Sequence, residues 1–224
     1  MARARSPGLE LPILTRRLLL RDFVGADRPA FATFASDARL LAQLLHEANA
    51  RGELERRFAR ILASQQARPR RAWQLAVVTR RGGRIVGVCD LALSGRREAD
   101  IGYVLARRHW GYGYATELAR ALVAAAFATL PIKRVLAIVD VDNERSRRVL
   151  ENVGLHWEAL LRRHARTSGR WSDCHLYAIA RPATPGAYAS GARRRTARQA
   201  PAASNSLPPR RALRIMTADR PLES

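Results

Sequence analysis

Cysteine is nearly missing, with two in 224 residues. Cys89 and Cys174 stand far apart in apolar runs, without the paired spacing that zinc sites or disulfide frameworks use, so both are expected to be small buried hydrophobes and no metal is expected. Lysine is scarcer still: Lys133 is the one lysine among 40 basic residues. It follows no glycine-rich loop, which excludes a Walker-type nucleotide site. Acids number 19 against those 40 bases, for a formal charge of +21. Aromatics make up 6% of the chain, and no RNA-binding motif with interleaved stacking rings is present. The apolar run at residues 118–130 is too short to cross a bilayer, and residues 1–12 are basic without the apolar stretch of a signal peptide. A cytoplasmic protein without membrane contact is therefore expected.

What is present suits one globular domain: the length allows an adequate core, and 47% of residues are hydrophobic. Residues 1–10 read as a flexible N-terminus, residues 11–182 as the folded domain and residues 183–224 as a disordered tail. In the tail Ala, Pro, Ser and Arg dominate, no apolar period survives, and Pro185, Pro201, Pro208, Pro209 and Pro221 interrupt the chain. Eight arginines against two acids there leave +15 of the total for the rest. So basic a chain suits polyanions such as ribosomal RNA. A general bias toward arginine accounts for the same charge equally well.

Within the domain, residues 15–23 read as a first strand. Apolar residues then recur at helical spacing in residues 26–45 (Phe31, Phe34, Ala38, Leu41, Leu45) and again at Leu54, Phe58, Ile61 and Leu62, predicting two helices. Residues 73–79 and 84–93 flank Gly82-Gly83, a hairpin signal, and a third strand begins near Glu98. A helix over 118–130 ends at Pro131, and the apolar run 134–139 reads as a strand buried on both faces. The expected fold class is α/β (α+β), a mixed and mostly antiparallel sheet with helices on both faces.

Residues 99–117 organise the rest. A short apolar strand leads into a loop with Gly111, Gly113 and Ala115, and a helix follows at once. Small residues let a ligand approach the backbone, and the unbonded N–H groups of a helix's first turn favour a phosphate. A dinucleotide fingerprint would need a small residue at Thr116 and an acid about twenty positions on, and neither is there.

The stretch WGYGYATE instead resembles the acetyl-coenzyme A loop of the GNAT superfamily of N-acetyltransferases, in the form carried by the RimJ/RimL branch that acetylates ribosomal-protein N-termini. The loop pattern fits in two registers, one on Arg108, Gly111 and Gly113, the other on Trp110, Gly113 and Ala115, and the second is preferred. Residues 139–158 resemble the same family's strand, Asn-x-x-Ser and short helix. The Gly-x-Trp-x-Asp of residues 169–173 and the opening LTRRLLLRDF resemble further landmarks of the Rim branch.

The resemblance implies acetyl-CoA as cosubstrate. It places the acetyl and pantetheine groups on the backbone of Tyr103, Val104 and Leu105, and the diphosphate in the loop of Trp110, Gly111, Tyr112, Gly113, Tyr114, Ala115 and Thr116. Asn143 would bond the pantetheine arm and Ser146 the leaving thiolate. Leu150 stands where many relatives carry a tyrosine acid. Asn143 also suits a helix N-cap, with Ser146 at the third helical position. Asp100 is the first choice of general base, with Glu98, Asp142, His164 and His109 as alternatives. The implied acceptor is an amine, foremost the α-amine of a ribosomal or other protein N-terminus. A small-molecule amine remains an alternative, as does a non-catalytic acyl-CoA-sensing or RNA-associated module, and the chain is expected as a monomer or homodimer.

Overall fold

The computed structural model describes residues 8–35, 52–95, 97–167, 170–183 and 214–215. Two short strands open it, β1 (Ile13–Leu14) and β2 (Leu18–Asp22), and a 3-10 turn (Gly25–Asp27) leads into α1 (Arg28–Ala35). Next come α2 (Glu53–Ser64), β3 (Ala72–Thr79), β4 (Ile85–Leu93) and β5 (Glu98–Leu105). A second 3-10 turn (Arg107–His109) precedes α3 (Tyr114–Thr129), β6 (Arg134–Asp140) and α4 (Glu144–Val153). A long hairpin, β7 (His156–Thr167) and β8 (Arg170–Ala180), and the two-residue β9 (Arg214–Ile215) complete it.

These strands form one mixed sheet in the order β1-β2-β3-β4-β5-β6-β8-β7, with β9 beside β6. The expected meander of β3, β4 and β5 is antiparallel throughout, turning at Gly82 and Gly83 with φ of 91° and 61°. Strand alternation sends the two faces to different cores. Leu75, Cys89, Leu91, Ile101 and Tyr103 pack against α3 and α4, while Ala76, Val78, Val88 and Val104 pack against Phe31 of α1 and Phe58 and Ile61 of α2. Both cysteines are buried and unbridged.

Three expectations differ from the structure. The single opening strand is broken, because Thr15 and Arg17 turn toward α3 instead of continuing the ladder. Leu9, assigned to a flexible N-terminus, is buried in the first core, so packing begins before residue 11. The first helix begins at Arg28, two residues late, and its expected continuation at Ala38, Leu41 and Leu45 lies outside the described residues. So does the tail, apart from β9.

Glu117, in the first turn of α3, explains the broken strand. Its carboxylate accepts from Thr15 Oγ1 at 2.6 Å, the Arg17 N–H at 2.7 Å and Arg17 Nε at 2.6 Å. The bend between β1 and β2 is thus tied to the start of α3. Burial alone would raise the Glu117 carboxyl, but the hydrogen bonds from Thr15 and Arg17 outweigh it and hold the group below its usual range. The stability it contributes is therefore complete above the unfolded carboxylate range and lost as pH falls through the lowered value. Glu117→Gln should cost about 1.5–3 kcal/mol at neutral pH, the range for bonds to a charged group. Melts from pH 7 to pH 3 should show the difference from the parent shrinking with acid; a constant difference would argue against the carboxylate as the cause.

Candidate active site

The site grows from the end of β5. Leu105, its last residue, accepts from the Trp110 indole N–H at 2.8 Å, which folds the connecting loop back onto the strand. Trp110 packs against the first core, and the Arg145 guanidinium of α4 lies 5.4 Å from its ring centre. One indole therefore joins β5, the loop and the start of α4. Arg108 is exposed and donates from Nε to the neighbouring His109 Nε2 at 3.1 Å. Of the two candidate registers, the one on Trp110 has its first residue built into the fold.

Gly111 and Gly113 take φ of 80° and 73°, a region where other residues are strained, and Gly113 is the N-cap of α3. The first helical bond runs from the Glu117 N–H to Gly113 O at 3.1 Å, so Tyr114, Ala115 and Thr116 present N–H groups with no acceptor inside the helix. A Cβ at Gly111 would meet nothing within 4 Å, and one at Gly113 would stand 3.5 Å from Arg17 Nη2. The space above Gly111 is open. Tyr112 is exposed and stacks on Tyr114 at 6.1 Å, and the guanidinium of Arg17, which also pairs with Glu117, lies 4.7 Å from the Tyr114 ring centre.

Next to the loop the sheet opens. β5 and β6 are paired in parallel only from Glu98 to Asp100 against Arg134 to Leu136. Beyond that they part, and β9 lies alongside β6 at Ile138 and Val139, with β5 on its other side. Tyr103, Val104 and Leu105 lie on the diverging part of β5. α4 begins beside this wedge with Asn143 as its N-cap, whose Oδ1 accepts from the Ser146 N–H at 3.0 Å. The capping role expected of Asn143 is therefore real, and further contacts from its side chain would come from the amide nitrogen.

Ser146 and Tyr103 are almost fully buried, and neither Ser146 Oγ nor Tyr103 Oη has a hydrogen-bond partner among the described residues. The two hydroxyls influence each other without being aligned for a bond. Burial pushes the Tyr103 phenol well up, and the nearby Ser146 hydroxyl pulls the other way. Two orphaned hydroxyls on the α4 side of the wedge can donate to a ligand that carries charge there. The Tyr103 hydroxyl has no counterpart in the sequence reading, which uses only that residue's backbone.

The opposite face carries the acids. Asp100 is 9% exposed and accepts from Ser94 Oγ at 3.0 Å, while Glu98 is paired with Arg134 at 2.9 Å. Asp142 is exposed beyond β6, and His164 is partly buried in the β7–β8 hairpin, remote in sequence and element from the wedge. His109 lies in the loop with its pKa lowered by burial and by Arg108 and Arg84. Asp90 joins Asp100 on the acidic face, from the middle of β4. Burial raises its carboxyl to about 7 against the opposing pull of Gln74 and Arg57. An acid inside the apolar run IVGVCDLAL is the signal that could have marked it. Among the described residues no group of three or more His, Cys, Asp or Glu could hold a metal ion, and no helix is long and apolar enough to cross a membrane.

Known proteins resemble this chain in sequence and fold. The acetyltransferase (GNAT) domain family matches residues 17–156. The uncharacterized N-acetyltransferase p20 of Bacillus licheniformis is 25% identical over 149 residues, 66% of this chain and 74% of p20. The putative ribosomal N-acetyltransferase YdaF of Bacillus subtilis is 35% identical over 83 residues, 37% of this chain and 45% of YdaF. Two further Bacillus subtilis relatives are matched over 54% and 51% of their lengths. Among solved structures, Mycobacterium smegmatis RimJ in complex with CoA-disulfide superposes with a TM-score of 0.60 at 26% identity, covering 73% of this chain and 81% of RimJ. Because the family match spans the wedge of β5 and β6, the glycine loop and the helix that follows it, the chain belongs to the GNAT family of acetyltransferases.

Proposed function

We propose that this N-acetyltransferase moves the acetyl group of acetyl-CoA to the α-amine of a protein N-terminus. The observation that carries the cosubstrate's place is the junction of wedge and loop. One strand, β5, supplies the diverging edge beside β6 and leads through the 3-10 turn of Arg107–His109 into the glycine turn at the start of α3. The diphosphate would lie on the N–H groups of Gly113 to Thr116, and the pantetheine arm along Tyr103, Val104 and Leu105, where it would take the place of β9 beside β6. The α-amine acceptor is supported by the Rim-type form of WGYGYATE, by the Gly-x-Trp-x-Asp of the hairpin and by the likeness to YdaF and RimJ.

The chemistry divides between the faces. Strand N–H groups of β5 polarise the thioester carbonyl. On the α4 side Ser146, with Tyr103 beside it, donates to the sulfur as the carbon–sulfur bond breaks. On the α1–α2 side Asp100, oriented by Ser94, draws the ammonium of the acceptor and is the base expected from the sequence. Outside the domain, the arginines of the tail would add a salt-sensitive, sequence-independent attraction to ribosomal RNA.

Acetyl-CoA should stabilise the folded protein by about 2.7 kcal/mol at a hundredfold excess over its dissociation constant. Gly113→Val puts a branched side chain at positive φ in the loop, so it should lose that stabilisation while keeping a cooperative melt. Normal binding by Gly113→Val would place the diphosphate elsewhere. Ser146→Ala should lower kcat by about ten- to a hundredfold at nearly unchanged cosubstrate affinity if the hydroxyl serves the transition state. A lower melting temperature with unchanged kcat would leave Ser146 only its helical role.

A further inference from the structure

We propose that Asp90 is the group that takes the proton from the acceptor amine, an inference that rests on the N-acetyltransferase reading and adds to it a residue on β4. Strand register carries it. Asp90 stands directly opposite Gly102 of β5 on one side and Gln74 of β3 on the other. All three share the face that packs against α1 and α2, since their neighbours Val88, Val104 and Ala76 lie in that core. Gly102 has no side chain, so β5 contributes only backbone at the position across from the carboxylate. The next residues along β5 are Tyr103, Val104 and Leu105, where the acyl group is expected.

Asp100 pairs with Ala92 instead, two residues further from that segment, or about 7 Å at the rise of a strand. It is also occupied by the Ser94 hydroxyl. Asp90 differs in a second way: its Oδ1 is buried and has no hydrogen-bond partner among the described residues. A carboxylate kept for structure would have its buried oxygens satisfied. Facing it are Gln74 from β3, Arg57 from α2 and Asp100 further along β5, and the Cys89 thiol beside it points into the other core. Burial outweighs the pull of Gln74 and Arg57 and holds its titration near 7, where a base both accepts a proton and gives it up readily.

The step balances. An N–H bond of the acceptor ammonium breaks and its proton goes to Asp90. The freed lone pair forms the C–N bond to the thioester carbon, the C–S pair leaves with the coenzyme sulfur, and a second amine proton ends on that sulfur. Asp90 then returns its proton to solvent.

The test compares the full-length parent, Asp90→Asn and Asp100→Asn in kcat/KM against pH with one peptide acceptor, so that the acceptor's own ionisation is common to all three. The parent should show a rising limb with a midpoint of about 7. Asp90→Asn should lose that limb together with about a hundred- to a thousandfold in rate. Asp100→Asn should keep the limb whatever it does to the rate. Melting separates this from a folding defect. Because the folded protein binds the Asp90 proton more tightly than the unfolded chain, the group weakens the fold as pH rises from the unfolded carboxylate range to about 7, and the full loss is present above that. Asp90→Asn should therefore melt above the parent at pH 8, with the gain shrinking at pH 5. A limb with its midpoint at about 7, separate from that of the acceptor amine, that survives in Asp90→Asn or disappears in Asp100→Asn overturns the assignment. A parent protein that acetyl-CoA neither stabilises nor acylates from overturns the underlying activity, and the assignment with it.

Discussion

The parting of β5 from β6 is the constraint on which the rest of the molecule depends. Three parallel pairs hold the strands together at Glu98 to Asp100, and none holds them at Tyr103 to Leu105. A sheet seldom leaves its centre open, because unpaired backbone groups are costly when buried. Here β9 lies in the opening beside β6, and the strands and helices around it hold β5 and β6 apart. β4 and β8 are paired along β5 and β6 on their outer sides, and α3 and α4 cover one face from loops that begin at the two diverging strand ends. The position of α3 is set from the other end of the chain, through Thr15 and Arg17 on Glu117. The opening strands thus hold the loop at the mouth of the wedge without forming any part of it.

The period of two in a strand then sorts the chemistry. Odd positions of β5 face α3 and α4 and even positions face α1 and α2, so Tyr103 joins Ser146 on one side while Asp100 and Gly102 join Asp90 on the other. In the proposed reaction the hydroxyl donors would meet the departing sulfur, and the carboxylates the arriving ammonium. Such separation suits acyl transfer, in which the amine adds to one face of the planar thioester carbonyl and the sulfur leaves from the tetrahedral intermediate, so that base and thiolate donor need not share a side. It also gives the acids a second use, since a carboxylate-lined face favours an amine over the many anions of a cell.

Much of this was legible in the chain, and the exceptions have physical causes. The hairpin at Gly82-Gly83, the apolar β6 and the loop of Gly111 and Gly113 were readable because each rests on local backbone preference or period. Asn143 was readable twice, as a cap and as a family residue, and the cap is what the structure displays. The break at Thr15 was hidden because its cause, Glu117, lies 102 residues away. Asp90 was hidden for a related reason: an acid in an apolar strand has meaning only once its strand neighbours, Gln74 and Gly102, are known. The Tyr103 hydroxyl became visible only when Ser146 stood beside it. Long-range pairing decides these three, and neither periodicity nor composition encodes it.

The most direct test of N-terminal acetyl transfer is thiol release from acetyl-CoA, followed across a panel of peptides with free N-termini, the same peptides with the α-amine blocked, and small amines such as polyamines and amino acids. Transfer to a protein N-terminus predicts release with the free peptides, none when the α-amine is blocked even where a lysine is present, and slow release with the small amines. Release driven by a polyamine or another small amine, with every free peptide inert, would contradict it.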